Sequence, residues 1–320
     1  MKKVCLALAL AGLFTLAAAD CGAIAFTENF TNDPALNGWQ VFGDTNLFQW
    51  DSTNDVMDVT WDSSQTNSYF YHPLGTTLIK ADSFSLSFDI QLNSINYSDF
   101  PVLAVGLFNY CDATNSLFSR PGATTPNLFE FDYYPDSGDE NDDPNVAATL
   151  TDDTGGLTND PDFYFIFDDL PMNPGTAYHV TLTHAAGQGG LTATMCAGGQ
   201  VYTTMPYVYS EAMADFRLDT VSINSYQDIY DPLFAQGTVG NFVVTLPPPG
   251  RNLEYAFNNG TAQVRFGTYT NWNYMLERST NLAAWSVISP CVSGNGRVLT
   301  FCDTNAPATQ AFYRVRAEQP

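Results

Sequence analysis

Apolar and polar residues alternate along several stretches of the chain. Phe84, Leu86, Phe88, Ile90 and Leu92 interleave with Ser83, Ser85, Ser87, Asp89, Gln91 and Asn93. A period of two sustained this long predicts a strand with one buried face. Phe163, Phe165 and Phe167 repeat the pattern, as do Val180 and Leu182 against His179, Thr181 and Thr183. Residues 184–190 (HAAGQGG) read as a hairpin turn between two Thr-rich strands. No segment sustains a helical period, although residues 209–216 have room for a turn or two. Roughly a dozen strands without intervening helices predict two sheets packed face to face. Beyond residue 250, Val264 with Phe266, Tyr274 with Leu276, and Phe312, Tyr313 and Val315 give shorter strands separated by Asn- and Gly-rich turns.

Composition sharpens this picture. The 320 residues are 45% apolar but only 14% charged, and they include 17 Tyr, 23 Phe, 5 Trp, 23 Gly and 18 Pro. That usage excludes a disordered chain or a coiled coil and suits strands joined by turns. Pro247-Pro248-Pro249-Gly250 cannot join a ladder and predicts a stiff linker between two domains, 20–246 and 251–320. Charge also changes there. Residues 20–249 carry 30 acidic groups against Lys80, Arg120 and Arg217, a net of −27, whereas residues 250–320 are +2. So negative a surface repels nucleic acid and polyanions, leaving cations, neutral polymers or plain solubility as its explanation.

The N-terminus reads as an export signal, residues 1–19. Lys2 and Lys3 precede an apolar stretch, and Ala17-Ala18-Ala19 supplies a cleavage site. The apolar run is too short to span a bilayer, and Asp20 ahead of Cys21 disfavours a lipid anchor. A secreted, extracellular or periplasmic protein without membrane insertion is expected. Five cysteines follow the cleavage point and match no zinc spacing, so disulfides are the expectation. Cys291 and Cys302 flank a Ser-Gly-Asn-Gly turn and are expected to bridge across a hairpin, leaving Cys21, Cys111 and Cys196 with one odd thiol.

Residues 127–153 hold the densest chemistry. If 127–134 is a strand, Glu130 and Asp132 share one face while Phe129 and Phe131 enter the core. After Pro135, six Asp, Glu and Asn residues crowd positions 136–143. Such a loop is either fully hydrated or neutralised by a hard cation, Ca²⁺ above all, though it lacks the EF-hand frame.

The segment Glu-Phe-Asp-Tyr-Tyr-Pro-Asp at 130–136, followed by Asp143-Pro144, resembles the metal-binding segment of legume-type lectins in the concanavalin A-like lectin/glucanase superfamily. The resemblance implies an all-β concanavalin A-like jelly-roll β-sandwich, here followed by a small C-terminal β domain. It implies Ca²⁺ held by Glu130, Asp132, the Tyr134 carbonyl, Asp136 and Asp143. The loop is about two residues longer than in such lectins, and residues 145–150 lack their transition-metal histidine. In a jelly roll the first and last strands pair, a role that suits 25–30 and 240–246. Residues 26–51, 274–285 and 312–318 also resemble secreted two-domain proteins of Verrucomicrobia-type bacteria.

Glucanases of that superfamily place a third carboxylate two or three residues after the E-x-D pair, where this chain has Tyr134 and Pro135. Retaining hydrolysis thus lacks its acid. His72, His179 and His184 show no metal spacing and read as surface or turn residues. Sugar faces are recognised by aromatic rings flanked by polar groups, and Trp50, Trp61, Tyr69, Tyr71 and Tyr133 are the ring candidates. The expectation is a secreted, non-catalytic, lectin-like protein binding a neutral or weakly charged polysaccharide, with the C-terminal domain attaching to a cell surface. The alternatives are a glucanase-type hydrolase and a structural or adhesive protein with no sugar ligand.

Overall fold

The alternating segments become strands whose apolar sets face inward. In a computed structural model, described at residues 4–10, 24–97, 102–120, 125–135, 144–154, 172–186, 190–203, 207–208, 213–230, 232–247, 249–258, 260–269, 272–307 and 310–318, the chain forms two units. One is Ala25–Leu246; the other joins Pro247–Pro320 with Met1–Ile24. The expected strand at 163–167 lies outside the described residues. Residues 213–217 are not helical.

The larger unit is an antiparallel β-sandwich. Its six-stranded sheet runs in the order Asn145–Leu150, Leu128–Tyr134, Leu103–Phe108, Leu218–Ser225, Ser68–Leu78 and Gln40–Phe42. The nine-stranded sheet centres on Ala177–Ala185, Phe84–Tyr97, Leu233–Leu246 and Val56–Asp62. Ile24–Glu28 pairs with Leu233–Leu246, so the unit's first and last strands are neighbours. Phe129 and Phe131 of the smaller sheet meet Phe84 and Phe88 of the larger edge-on, at 5.1 and 5.7 Å between ring centres. These ring pairs lie in the layer between the sheets, and each adds about 0.5–1.5 kcal/mol beyond simple burial.

A bulge in Leu233–Leu246 matters below. Gly240 stands opposite Asp89 and Val243 opposite Ser87, so Asn241 and Phe242 together face one residue of the partner strand. Asn241 takes φ +52°, a left-handed conformation that Asn tolerates better than most residues.

The smaller unit stacks Gly250–Asn258, Thr261–Thr268 and Val298–Asp303 in one sheet. In its second sheet Ala311–Glu318 pairs with Asn273–Ser279, which also pairs with Val292–Ser293. The first of these strands begins at Gly250, inside the segment read as linker. Residues Val4–Leu10, read from sequence as part of an export signal, pair antiparallel with Ala311–Glu318. Phe266, Tyr274, Leu276, Phe301 and Tyr313 form the core. Two ionic clusters brace it: Arg314 and Arg316 grip buried Glu277 at 2.5 and 3.0 Å, and Arg278 and Tyr313 hold Asp303 at 2.8 and 2.9 Å.

The expected Cys291–Cys302 bridge is not formed; Cys111, Cys196, Cys291 and Cys302 are all free. The turn between the two cysteines does not close a hairpin. Cys291 precedes Val292–Ser293, which pairs with Asn273–Ser279, whereas Cys302 sits opposite Gln263 in the other sheet.

Candidate functional site

The two faces that point away from the sandwich core differ sharply. On the six-stranded sheet, Leu128, Glu130, Asp132 and Tyr134 point outward, as the alternation requires, yet all are buried. Residues 109–120 contribute the cover. Asn109 caps the short helix Tyr110–Ala113 by accepting from the Cys111 and Asp112 amides, and Ala113 and Phe118 then pack against Tyr69, Leu128 and Tyr226.

Beneath that cover lies a polar network. Arg120 donates from Nε to Glu130 Oε1 at 2.9 Å and from Nη2 to Asp132 Oδ2 at 2.8 Å. Glu130 Oε2 accepts from Asn224 Nδ2 at 3.0 Å and from the Tyr226 hydroxyl at 2.7 Å. Thr149 donates to Asp132 Oδ2. Arg120 is 5% exposed and both carboxylates 0%. Burial would favour a neutral guanidinium, but Asp132 and Glu130 beside it hold its pKa well above the usual value. Burial, set against Arg120, pushes the Asp132 carboxyl up to about 7. Two acids facing one cation in low dielectric leave one charge in excess, which a proton on Asp132 removes.

Three of the four carboxylate oxygens are therefore taken by protein donors. The pair does not fit Ca²⁺, which demands six to eight oxygens. A dication on the same oxygens would stand about 4 Å from the guanidinium, a repulsion of about 8 kcal/mol at an effective dielectric of ~20. Of the other expected ligands, Tyr134 is buried opposite Asn145 in the ladder, and Asp136 and Asp143 lie outside the described residues. Among the described residues no group of three His, Cys, Asp or Glu is placed to hold a metal.

The expected ring platform is buried too. Trp61, Tyr69, Tyr71 and Tyr133 are 1, 0, 6 and 4% exposed. Tyr69 and Tyr71 do share a face, but Tyr69 bonds the Ala113 carbonyl under the 109–120 cover, and Tyr71 bonds Gln40 and Tyr110. Tyr133 points into the core, where its hydroxyl accepts from the Met172 amide. Half-buried Trp50 spends its indole N–H on the Phe30 carbonyl at 2.8 Å. Amphipathic rings are good sugar platforms only where they remain open, and these are used as core. His184 also departs from expectation. Its side chain is fully buried, stacked on Phe84 at 4.9 Å, with Nδ1 2.7 Å from the Asp82 carbonyl.

The nine-stranded sheet's outer face is hydroxylated and partly exposed. Thr194, Thr181 and Ser87 stand side by side across three strands, and Thr192, Thr183 and Ser85 form the next row. At their end lies Asp89, whose Oδ1 is 2.6 Å from His179 Nδ1 and whose Oδ2 accepts from Asn241 Nδ2 at 2.7 Å. The side chains of Asp89 and His179 remain 40 and 50% exposed. The bulge delivers Asn241 to this position. This carboxylate is thus oriented by two neighbours and still faces water, which suits hydrogen bonding to a polyol. Sequence reading placed His179 on the polar face but missed Asp89 and Asn241 as its companions.

No protein-family model matches the chain, and no curated protein sequence is similar to it. Solved structures are similar in fold. Peanut lectin with a nine-residue peptide aligns at 13% identity over 70% of this chain and 98% of its own, with a TM-score of 0.44. The lectin UEA-II complexed with galactose gives 13%, 70%, 98% and 0.46. A carbohydrate esterase from the Shiga toxin-encoding bacteriophage phi24B gives 12%, 70%, 100% and 0.38. With TM-scores this low, what the chain does has to be read from its own side chains.

Proposed function

We propose that this is an exported, non-catalytic carbohydrate-binding protein whose sandwich presents the outer face of its nine-stranded sheet to a neutral or weakly charged polysaccharide. The reading is carried by Asp89, an open carboxylate fixed by His179 and Asn241 beside rows of Thr and Ser hydroxyls. An oriented carboxylate accepts from sugar hydroxyls without first losing side-chain freedom, which lowers the cost of binding. A non-catalytic role is supported by the other sheet, where the buried Glu130 and Asp132 are held by Arg120 and the third position of a hydrolytic motif is Tyr134. Export rests on Lys2, Lys3 and the apolar stretch after them. The C-terminal unit serves as an attachment module.

A depletion assay with insoluble neutral polysaccharides, paired with a reducing-end assay, tests this. The expected result is binding without new reducing ends, and at least a tenfold loss of affinity in Asp89→Ala with the melting temperature unchanged. Equal binding by parent and variant refutes the site, and release of reducing ends refutes the non-catalytic role.

A further inference from the structure

We infer that Arg120 is the resident cation of the outer face of the six-stranded sheet, a covalently tethered guanidinium that takes the place of a divalent metal between Glu130 and Asp132. The inference is independent of what the protein binds. It starts from register. Ser222, Gly106, Glu130 and Thr149 stand in one row across four strands, and Asn224, Ala104, Asp132 and Ala147 in the next. Opposite the two acids the middle strand thus offers only Gly106 and Ala104, a low floor between the acids and the Ser222–Asn224 wall. Such a hollow, lined by two adjacent carboxylates and sealed from water, must contain positive charge.

Arg120 provides it in a form matched to the geometry. Its planar fork reaches both acids at once, Nε to one and Nη2 to the other, a geometry that a point charge such as Lys cannot reproduce. Neighbouring neutral groups add to the shell: Asn224 and Tyr226 serve the second Glu130 oxygen and Thr149 serves Asp132 Oδ2, while Asp132 Oδ1 accepts no hydrogen bond among the described residues. Residues 109–120, which carry Arg120, also carry Phe118 and the Tyr110–Ala113 helix that roof the sheet. Cation and cover therefore arrive on one segment, so closing the roof needs no exogenous ion. Arg120 acts through position and charge; no substrate contact is assigned to it.

The test is thermal melting of the full chain with 5 mM CaCl₂, with 5 mM chelator, and with 20 mM guanidinium chloride, a concentration well below denaturing. For the parent, and for Asp132→Asn, the expected difference between calcium and chelator is under 1 °C. Arg120→Ala leaves two buried acids unpaired and is expected to melt about 6–20 °C lower, from the cost of breaking a buried pair and the size of the unit. Guanidinium, entering the vacated hollow, is expected to restore part of that loss, whereas it leaves the parent unchanged. Arg120→Lys should fall between. If chelator lowers the parent's melting temperature and Asp132→Asn abolishes that response, a metal sits on the strand carboxylates and the inference is wrong. If Arg120→Ala does not fold, the parent and Asp132→Asn comparison alone decides.

Discussion

Replacing Tyr226 by Phe isolates a single buried hydrogen bond. The ring is packed 6.0 Å from Tyr69 and 6.1 Å from Phe118, and its hydroxyl donates to Glu130 Oε2 at 2.7 Å. Phe keeps the ring and its contacts, so no cavity term enters. What is lost is a bond to a charged acceptor, worth about 1.5–3 kcal/mol. Water cannot replace it, because both side chains are sealed. The Asn224 amide still serves the same oxygen at 3.0 Å, which argues for the lower half of that range. For a unit of this size each kcal/mol moves the midpoint by about 2–4 °C, giving a drop of about 3–9 °C. Calorimetry on the full chain at pH 7 reads it as a shift of the larger endotherm. Introducing Glu130→Gln first turns the acceptor neutral and should shrink the effect of Tyr226→Phe by at least half. If Tyr226→Phe changes stability by less than 0.5 kcal/mol, Glu130 is not held as a buried, charged acceptor and the network reasoning fails.

Two further perturbations probe the same unit. A Cβ added at Gly106 would stand 2.3 Å from Glu130 Cβ and 2.6 Å from the Phe129 carbonyl oxygen, so the strands must part. Gly106→Ala should therefore cost about 1–3 kcal/mol, read as a lower melting temperature; an unchanged value would show that the sheet yields more freely than its register suggests. Acid should act through His184, whose pKa burial lowers from 6.5. The unfolded chain then takes up the proton first, so His184's contribution is complete above about pH 6.5 and shrinks as pH falls below it. Asp132 opposes this, because its raised folded pKa adds stability as pH falls through about 7. Asp132→Asn should consequently steepen the loss of stability between pH 7 and pH 5, and a parallel pair of curves would contradict the assignment.

Much of the sandwich was legible because period two reports which side chains share a face. Phe84 to Leu92 did so, and Tyr69 with Tyr71, and Glu130 with Asp132 opposite Phe129 and Phe131. The alternation does not report what covers a face. The rings and acids on the outer side of the smaller sheet looked available because nothing in residues 109–120 announces a roof. His184 was readable and misread: it is in phase with Tyr178, Val180 and Leu182, all buried, so strand phase placed it inside. The cysteines failed for another reason. Spacing across a turn predicts a bridge only if the flanking strands pair with each other, and here they join different sheets.

Charge accounting held the one signal that would have found Arg120. Residues 20–249 contain only three basic side chains among thirty acids. Arg217 is half exposed beside Asp215 at 3.8 Å, and Lys80 reaches the Met213 carbonyl. Surface acids need no partner, since water solvates them at little cost. Two acids on the same face of a strand flanked by Phe residues cannot rely on water if that face is covered, because burying one unpaired carboxylate costs several kcal/mol. A strand of the sequence LFEFDYY within a sandwich therefore requires either an open outer face or a nearby cation, and a lone Arg ten residues upstream meets the second condition. The same reasoning separates the two faces. Where Glu130 and Asp132 are buried, Arg120 neutralises them from within. Where a carboxylate stays open, at Asp89, its neighbours orient it without sealing it.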